Sequence, residues 1–255
     1  RYGSIIIMAD QDLDGFHIKG LVMNIFHVHW KSLLKCGFIK SLRTPIVKVS
    51  KGKQIIPFYK LSKYEEWKEN NTKNVSKWKI KYYKGLGTST AKEAKEYFSK
   101  LDLTNFVYVD IESDKSLDLA FNKKNANLRK AWLETPPEDS DSDDDTIKND
   151  TEVGTYVRKK TYTQFIHTQL KSFSRYDIIR SIPSIVDGLK PSQRKVLFGC
   201  FKKNLWSKEI KVAQLSAYVS EHSHYHHGET SLNETIIGLA QNYIGSNNIN
   251  LLEPN

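Results

Sequence analysis

Apolar and polar residues in the first 133 positions form short apolar runs that alternate with longer segments of helical periodicity. Residues 4–8 are a β-branched run, which predicts a buried strand. From residue 16 to residue 35 the apolar positions recur at helical spacing, and Gly37 is placed to end that helix. Further strands are predicted at 44–50, 54–61, 78–83 and 106–110, and further helices at 90–101 and 114–133. Strands that alternate with helices predict a Rossmann-like α/β domain with a mostly parallel sheet.

The patterning after residue 156 is mainly helical. Helices are predicted at 162–173, from Pro191 onward, at 211–220 and at 230–242. Several short helices in a basic block fit a DNA-binding module of the helix-turn-helix type. They fit any other small helical domain equally well, so the pattern alone leaves both interpretations open.

A polar acidic strip separates these two blocks. Residues 134–152 contain nine acidic side chains and one lysine, and the Pro136-Pro137 pair stops a helix. Such a strip has too few apolar residues to fold into a core. We therefore predict one domain over 1–133, a flexible acidic linker over 134–155, and a second domain over 156–255.

Charge and composition narrow the class of protein. The net charge is +10, and basic residues exceed acidic ones in both blocks that flank the strip. Basic blocks of this kind suit a polyanion such as nucleic acid, although a solvated lysine-rich surface explains them as well. No apolar stretch is long enough for a membrane span or a signal peptide, so no membrane partner is expected. Two cysteines, Cys36 and Cys200, indicate a reducing compartment and no disulfide scaffold. The chain does not begin with Met, so we expect it to be part of a longer polypeptide.

Three carboxylates follow the first predicted strand at alternating positions. Asp10, Asp12 and Asp14 would lie on one side of an extended chain, at the strand end where α/β proteins bind ligands. Mg²⁺ would relieve their repulsion, because hard cations take oxygen ligands. An EF-hand is a weaker alternative, since its twelfth position is Leu21 and a strand precedes it. A solvated acidic turn without a ligand is the other alternative.

Four histidines lie close together near the third helix of the second block. His222, His224, His226 and His227 suggest a zinc site, but a carboxylate or thiolate ligand is not near them in sequence. A histidine that packs in a turn is the simpler interpretation for His226.

Five segments, taken together, resemble one known family. They are IIIMADQDLDGFHIKG at 5–20, KYYKGLGTST at 81–90, RSIPSIVDGLKPSQRKVL at 180–197, YHHGE at 225–229 and NYIGSNN at 242–248. In this order they resemble the DNA cleavage and religation core of eukaryotic-type DNA topoisomerase II, a type IIA enzyme. The resemblance implies a Toprim metal-binding domain over 1–133 and a winged-helix DNA-binding domain over 156–255.

The resemblance also implies roles for particular residues. Asp10 would contact both of two Mg²⁺ ions, Asp12 would hold the second, and Asp14 would assist through water. His227 would support the transition state. The family uses a further glutamate upstream and a nucleophilic tyrosine downstream, and neither is expected within this chain. Tyr2 and Tyr176 follow arginines, but their places in the order of motifs do not match the nucleophile.

Basic and aromatic residues in the same motifs are implied to contact DNA. By resemblance these are Lys84, Arg129, Lys130, Arg180, Lys190, Arg194, Tyr225 and His226. Bland alternatives exist for some of them, since Lys84 lies in a glycine turn and Arg129-Lys130 lies on a predicted helix surface.

These implications give an expected function. The parent protein would be an ATP-dependent, nuclear, homodimeric type II topoisomerase that acts on double-stranded DNA, with ATP bound by a domain that is not in this chain. This chain would supply metal ligands and DNA contacts without the nucleophile. A non-catalytic nucleic-acid-binding module with a structural acidic cluster is the alternative. Another Toprim enzyme, such as a primase or nuclease, would lack the 180–194 segment.

Overall fold

The computed structural model describes residues 2–72, 74–83, 86–136, 148–150, 155–225, 227–246 and 250–254. Within it the chain forms two compact units, Arg1–Arg175 and Tyr176–Asn255. Most of the predicted linker lies outside the described residues. Residues 156–175, which we predicted to open the second domain, belong instead to the first compact unit.

The first unit contains eight strands arranged in two sheets. The strands are β1 Ile5–Ile7, β2 Ile39–Leu42, β3 Val47–Lys51, β4 Gln54–Phe58, β5 Lys79–Tyr82, β6 Leu103–Val107, β7 Lys148–Asp150 and β8 Thr155–Thr161. The larger sheet has the order β1-β2-β6-β8-β7, and the smaller one has the order β4-β3-β5. An α/β unit was predicted correctly, although the strand β2 was not.

The larger sheet is mixed rather than mostly parallel. The β1/β2 and β6/β8 pairs are parallel, whereas β2/β6 and β7/β8 are antiparallel. Between β2 and β6 the chain builds the antiparallel β4-β3-β5 sheet instead of a single crossover helix, so β6 is not constrained to run parallel to β2. Gly52, at φ +60°, makes the predicted turn between β3 and β4.

The helices of the first unit are mostly shorter than predicted. They are α1 Leu13–His29, α2 Lys31–Lys35, α3 Leu61–Asn70, α4 Ala91–Lys100, α5 Asp110–Phe121, α6 Ala126–Glu134, α7 Tyr162–Phe165 and α8 Lys171–Ser181. The predicted helix 16–35 is broken at Trp30, whose φ of −142° and ψ of 53° are not helical. A five-residue π-helical turn, Ile166–Leu170, joins α7 to α8.

The core of the first unit explains why residues 156–175 belong to it. β8 pairs along its length with β6, and Tyr162 and Phe165 are fully buried. Their neighbours in the core include Ile7, Met23, Leu34, Ile39, Phe106 and Leu117. Strand pairing and apolar burial therefore determine the membership of this segment, and the charge pattern does not report either.

The second unit is mainly helical, as predicted. Its helices are α9 Pro191–Lys202, α10 Val212–Ser223 and α11 Glu229–Ala240. Pro191 occupies the start of α9, where its missing N–H has no intrahelical partner to lose. The core comes from all three helices: Val196, Cys200, Leu215, Val219, Leu232, Ile236 and Leu239. Among the described helices of both units, none is sufficiently long and apolar to cross a lipid bilayer.

Candidate metal and DNA sites

The acidic segment forms the entry to helix α1. Asp12 is the N-cap residue, and its Oδ1 accepts a hydrogen bond of 2.7 Å from the backbone N–H of Gly15. Asp14 lies in the first turn, where the helix dipole favours a negative charge. The expectation that all three aspartates lie along an extended chain is therefore wrong, because the helix begins between Asp12 and Asp14.

Gly15 lets the chain fold tightly at this entry. A Cβ atom at this position would lie 2.0 Å from the carbonyl oxygen of Asp10 and 3.1 Å from Oδ1 of Asp12. No side chain can occupy that space without moving the backbone. The glycine thus holds the Asp10 backbone close to the cap made by Asp12.

A buried cation lies beside the acidic segment. Lys19 is only 3% exposed, and its Nζ donates a hydrogen bond of 3.3 Å to Oε1 of Gln11. The Nε2 of Gln11 in turn donates to the carbonyl of Leu42 at 2.9 Å, which orients the amide. Burial lowers the pKa of Lys19 to about 8, against the opposing influence of Asp12 and Asp10.

The acidic segment fits a hard divalent cation in its donor chemistry but forms only part of a ligand set. Carboxylate oxygens are suitable ligands, Asp10 is half-buried, and Asp12 is exposed at a fixed helix terminus. Across the described parts of the chain, no three His, Cys, Asp or Glu side chains converge as a metal-binding group. Asp10 and Asp12 would hold a magnesium ion there only together with water, phosphate or other protein ligands.

Lys84 lies outside the described residues, but both of its flanks are well defined. Thr90 and Glu93 form the predicted capping box of α4, with hydrogen bonds of 2.8 and 3.3 Å. Glu93 also accepts hydrogen bonds from Nζ of Lys81, at 2.7 Å, and from the hydroxyl of Tyr83. Burial alone would raise the pKa of Glu93, but these hydrogen bonds outweigh it and lower the pKa to about 2.

Arg129 has a clear structural role in the first unit. Its Nη1 donates to the carbonyls of Leu119, Ala120 and Asn122, at 2.9 to 3.2 Å, and so caps the carboxyl end of α5. Lys130, the next residue, is exposed. A contact between Arg129 and DNA would have to use its other nitrogens, whereas Lys130 is open to solvent.

Two of the basic residues implied to contact DNA lie beside carboxylates in the second unit. Arg194 makes a two-pronged pair with Asp187, at 2.8 and 2.9 Å, and this lowers the pKa of the carboxyl. The Nε of Arg180 lies 3.0 Å from Oδ1 of Asp177. Lys190 is the N-cap residue of α9, directly before Pro191. The start of α9 therefore presents Lys190 and Arg194 from one short segment.

His227 lies between two tyrosines of the second unit. Its Nε2 is 3.2 Å from the hydroxyl of Tyr176, and its ring centroid is 5.5 Å from that of Tyr225. Burial raises the pKa of Tyr225, and Nζ of Lys195 lies 5.9 Å from the centre of the Tyr225 ring. From the sequence Tyr176 was considered only as a nucleophile, so its contact with His227 was missed. No signal in the sequence links residues 51 positions apart.

The histidine cluster does not form the zinc site that was considered as an alternative. The His222 ring stacks on Tyr218 at 4.0 Å, and its Nδ1 lies 3.0 Å from the Tyr218 carbonyl. His224 takes a left-handed conformation at the end of α10. His226 lies outside the described residues, and the described ones include no converging metal-ligand group.

Two protein families match the chain, one after the other. The family described as the C-terminal associated domain of TOPRIM matches residues 42–178. The DNA gyrase/topoisomerase IV family matches residues 180–255. The two matches meet between residues 178 and 180, close to the boundary between the compact units.

Curated relatives are similar over the whole chain. DNA topoisomerase 2-alpha of Rattus norvegicus is 55% identical over 257 residues, that of Homo sapiens 54% and that of Gallus gallus 53%. Each alignment covers 100% of this chain and 16–17% of the relative, so the chain spans about a sixth of their length.

A solved structure is similar in both sequence and fold. It is the crystal structure of the Plasmodium falciparum topoisomerase II DNA-binding, cleavage and re-ligation domain. The two share 50% identity with a TM-score of 0.74, over 100% of this chain and 33% of that one.

Proposed function

We propose that this chain, which belongs to the family of the C-terminal associated domain of TOPRIM, forms part of the DNA cleavage and religation core of a type II DNA topoisomerase. The observation that carries the proposal is similarity along its entire length, at 53–55% identity, to DNA topoisomerase 2. The similar fold of a DNA-binding, cleavage and re-ligation domain supports the same assignment.

Within that core, the residues of the first unit would hold magnesium. Asp10 and Asp12 supply oxygen ligands at the end of β1, and Asp14 assists from the first turn of α1. When bound, Mg²⁺ stabilises charge on the attacking and leaving oxygens of a phosphodiester. The N-cap hydrogen bond from Gly15 fixes the Asp12 carboxylate in one orientation, which is the contribution of the fold itself.

The residues of the second unit would hold the DNA and the reacting phosphate. His227 donates or accepts a hydrogen bond at that phosphate, and Tyr176 steadies its ring through the 3.2 Å contact. Lys190, Arg194, Arg180 and Tyr225 contact the backbone, as do Lys130 and Arg129 from the first unit. Lys84 and His226 are proposed by resemblance alone.

Wider features of the enzyme are also part of the proposal. Its partner is double-stranded DNA, it acts as a nuclear homodimer, and it takes ATP through a different domain. Two magnesium ions serve the complete core. We assign no covalent catalyst to this chain, because no tyrosine here matches the family's nucleophile in the order of the motifs.

A chimeric enzyme tests the proposal directly. We would replace the matching 257-residue segment of Homo sapiens DNA topoisomerase 2-alpha with this chain and measure ATP-dependent relaxation of supercoiled plasmid. The chimera should relax DNA. Asp10→Ala should reduce the rate by at least about a hundredfold, because a metal ligand is lost, while duplex affinity changes little. Glu65→Ala, which removes an exposed carboxylate on α3, is the matched control and should have no effect.

A second variant separates this function from the alternative, a non-catalytic nucleic-acid-binding module with a structural acidic cluster. The N-cap role of Asp12 is the observation that favours the alternative. Asn caps helices about as well as Asp but carries no charge. Asp12→Asn should therefore keep the fold and abolish relaxation if Asp12 binds metal. Full relaxation by this variant and by Asp10→Ala would refute the metal-binding role.

A further inference from the structure

A polar cavity of about 500 Å³ lies inside the first unit, next to the acidic segment. Its walls come from the start of α1, from β2, β6 and β8, from the start of α3, and from the π-helical turn with α8. The volume is in the range of pockets that enclose a small organic ligand. Neither the magnesium site nor the DNA contacts described above require such an enclosed space.

The wall of this cavity is strongly basic. Four cations line it, Lys19, Arg43, Lys60 and Lys160, against a single carboxylate, that of Asp12. Lys19 is 3% exposed and Lys160 is 8% exposed. Burying cations of the same sign together is costly unless an anion offsets their charge.

The deepest cation has donor capacity left over. An ammonium group carries three N–H donors, and within the described residues the hydrogen bond of Lys19 is the 3.3 Å contact to Gln11. Burial and the positive charges of Lys160 and Arg43 all lower the pKa of Lys19, so these cations influence one another electrostatically. An anion in the cavity would accept from Lys19 and reduce that repulsion.

Buried hydroxyl groups complete the polar wall. Ser41, Thr104 and Thr168 line the cavity, and each is less than one-tenth exposed. Hydroxyl donors and several cations around one space suit a group with many acceptor oxygens and more than one negative charge. Phosphate has these properties, whereas a carboxylate has fewer oxygens and a single charge.

We propose that this cavity binds a phosphate-bearing small molecule. Lys19 and Lys160 contact the phosphate from inside, and Lys60 contacts it from the start of α3. A duplex would not reach the same position, because two of the cations lie almost entirely below the protein surface. The apolar wall of Phe16, Phe106 and Ile46 accommodates the part of the molecule that carries the phosphate.

Isothermal titration calorimetry of the 255-residue chain with inorganic pyrophosphate tests the proposal, at constant ionic strength and with EDTA present. Binding should saturate at one site. Lys60→Gln and Lys160→Gln should each weaken it by about tenfold or more, because a charged hydrogen-bonding partner is lost. Lys63→Gln is the matched control: it lies on the same helix as Lys60, is largely exposed, and does not line the cavity, so affinity should be unchanged.

Several results would overturn the proposal. They are the absence of saturable binding, an equal loss in Lys63→Gln, or binding that appears only when Mg²⁺ replaces EDTA, which would place the phosphate on a metal at Asp12. Displacement of pyrophosphate by a short duplex would instead assign these cations to DNA. If Lys160→Gln fails to fold, the half-buried Lys60→Gln decides the outcome alone.

Discussion

At the scale of single residues, Gly15 has the most demanding position in the acidic segment. Replacing it with alanine would put a Cβ atom 2.0 Å from the Asp10 carbonyl oxygen. We expect Gly15→Ala to lower the free energy of unfolding by about 1–3 kcal/mol, as in other overpacked sites. Urea unfolding monitored by circular dichroism would measure this. Gly238→Ala, in α11, has open space around its Cβ and should be neutral or slightly stabilising. Equal destabilisation by both changes would contradict the steric explanation.

Lys19 should make stability depend on pH. Its pKa of about 8 in the folded chain is below the ordinary value of 10.5, so the unfolded chain binds more protons between these limits. Stability should therefore rise with pH from about 8 to about 10.5, and below that range the buried charge costs on the order of 3 kcal/mol. Lys19→Met should be more stable than the parent at neutral pH, and this advantage should shrink as pH rises. Urea unfolding of both proteins across the range checks this, and a difference that is independent of pH would count against it.

Residue roles that depend on distant contacts could not be predicted from the sequence. Asp12 and His227 stand out in the sequence because they lie in recognisable motifs. The three carbonyl contacts of Arg129 and the contact of Tyr176 with His227 arise only when separate segments pack. Local patterns identify residue types suited to a task, and the fold determines which of them also have structural roles.

At the scale of elements, local signals predicted well where local chemistry decides the structure. The capping box at Thr90, the turn at Gly52 and Pro191 at the start of α9 were all predicted and are all observed. Strand β2 and helix α3 were missed. β2 has only four residues, too few to show a period, and α3 follows β4 without an N-cap side chain to mark its start.

The packing of α9 against α10 offers a test between elements. A Cβ at Gly199 would lie 2.6 Å from Cγ2 of Val219. Gly199→Ala and Val219→Ala should each destabilise the second unit by about 1–3 kcal/mol, one by overpacking and the other by leaving a cavity. The double variant should be less destabilised than the sum by at least about 1 kcal/mol, because the smaller Val219→Ala side chain makes room. Strict additivity in urea unfolding would show that the two helices do not meet as described.

At the scale of the whole molecule, charge and fold follow different divisions of the chain. The acidic strip divides the charge near residue 134, whereas the compact units divide after Arg175. Between these points, β8 and Tyr162 complete the core of the first unit. Composition records where the solvent-facing charges change, but it does not record strand pairing between segments that lie far apart in the sequence.

The net charge of +10 predicts salt-sensitive DNA binding. Affinity for a short duplex should fall steeply between about 50 and about 200 mM salt, as counterions are released from each neutralised phosphate. Lys190→Gln should reduce the slope of log affinity against log salt by about one. Fluorescence anisotropy would measure both slopes. Lys53→Gln, an exposed lysine at the turn between β3 and β4, should leave the slope unchanged, and equal reductions would indicate a diffuse positive field instead of a specific contact.

The π-helical turn Ile166–Leu170 has a consequence for how this chain aligns with distant homologues. A π turn holds one more residue than an α-helical turn, and such turns commonly persist as single-residue insertions in otherwise regular helices. A homologue one residue shorter should therefore carry its alignment gap inside this segment. Were the gap placed elsewhere, every side chain after it would be assigned to the wrong face of α8, by about 100° of rotation.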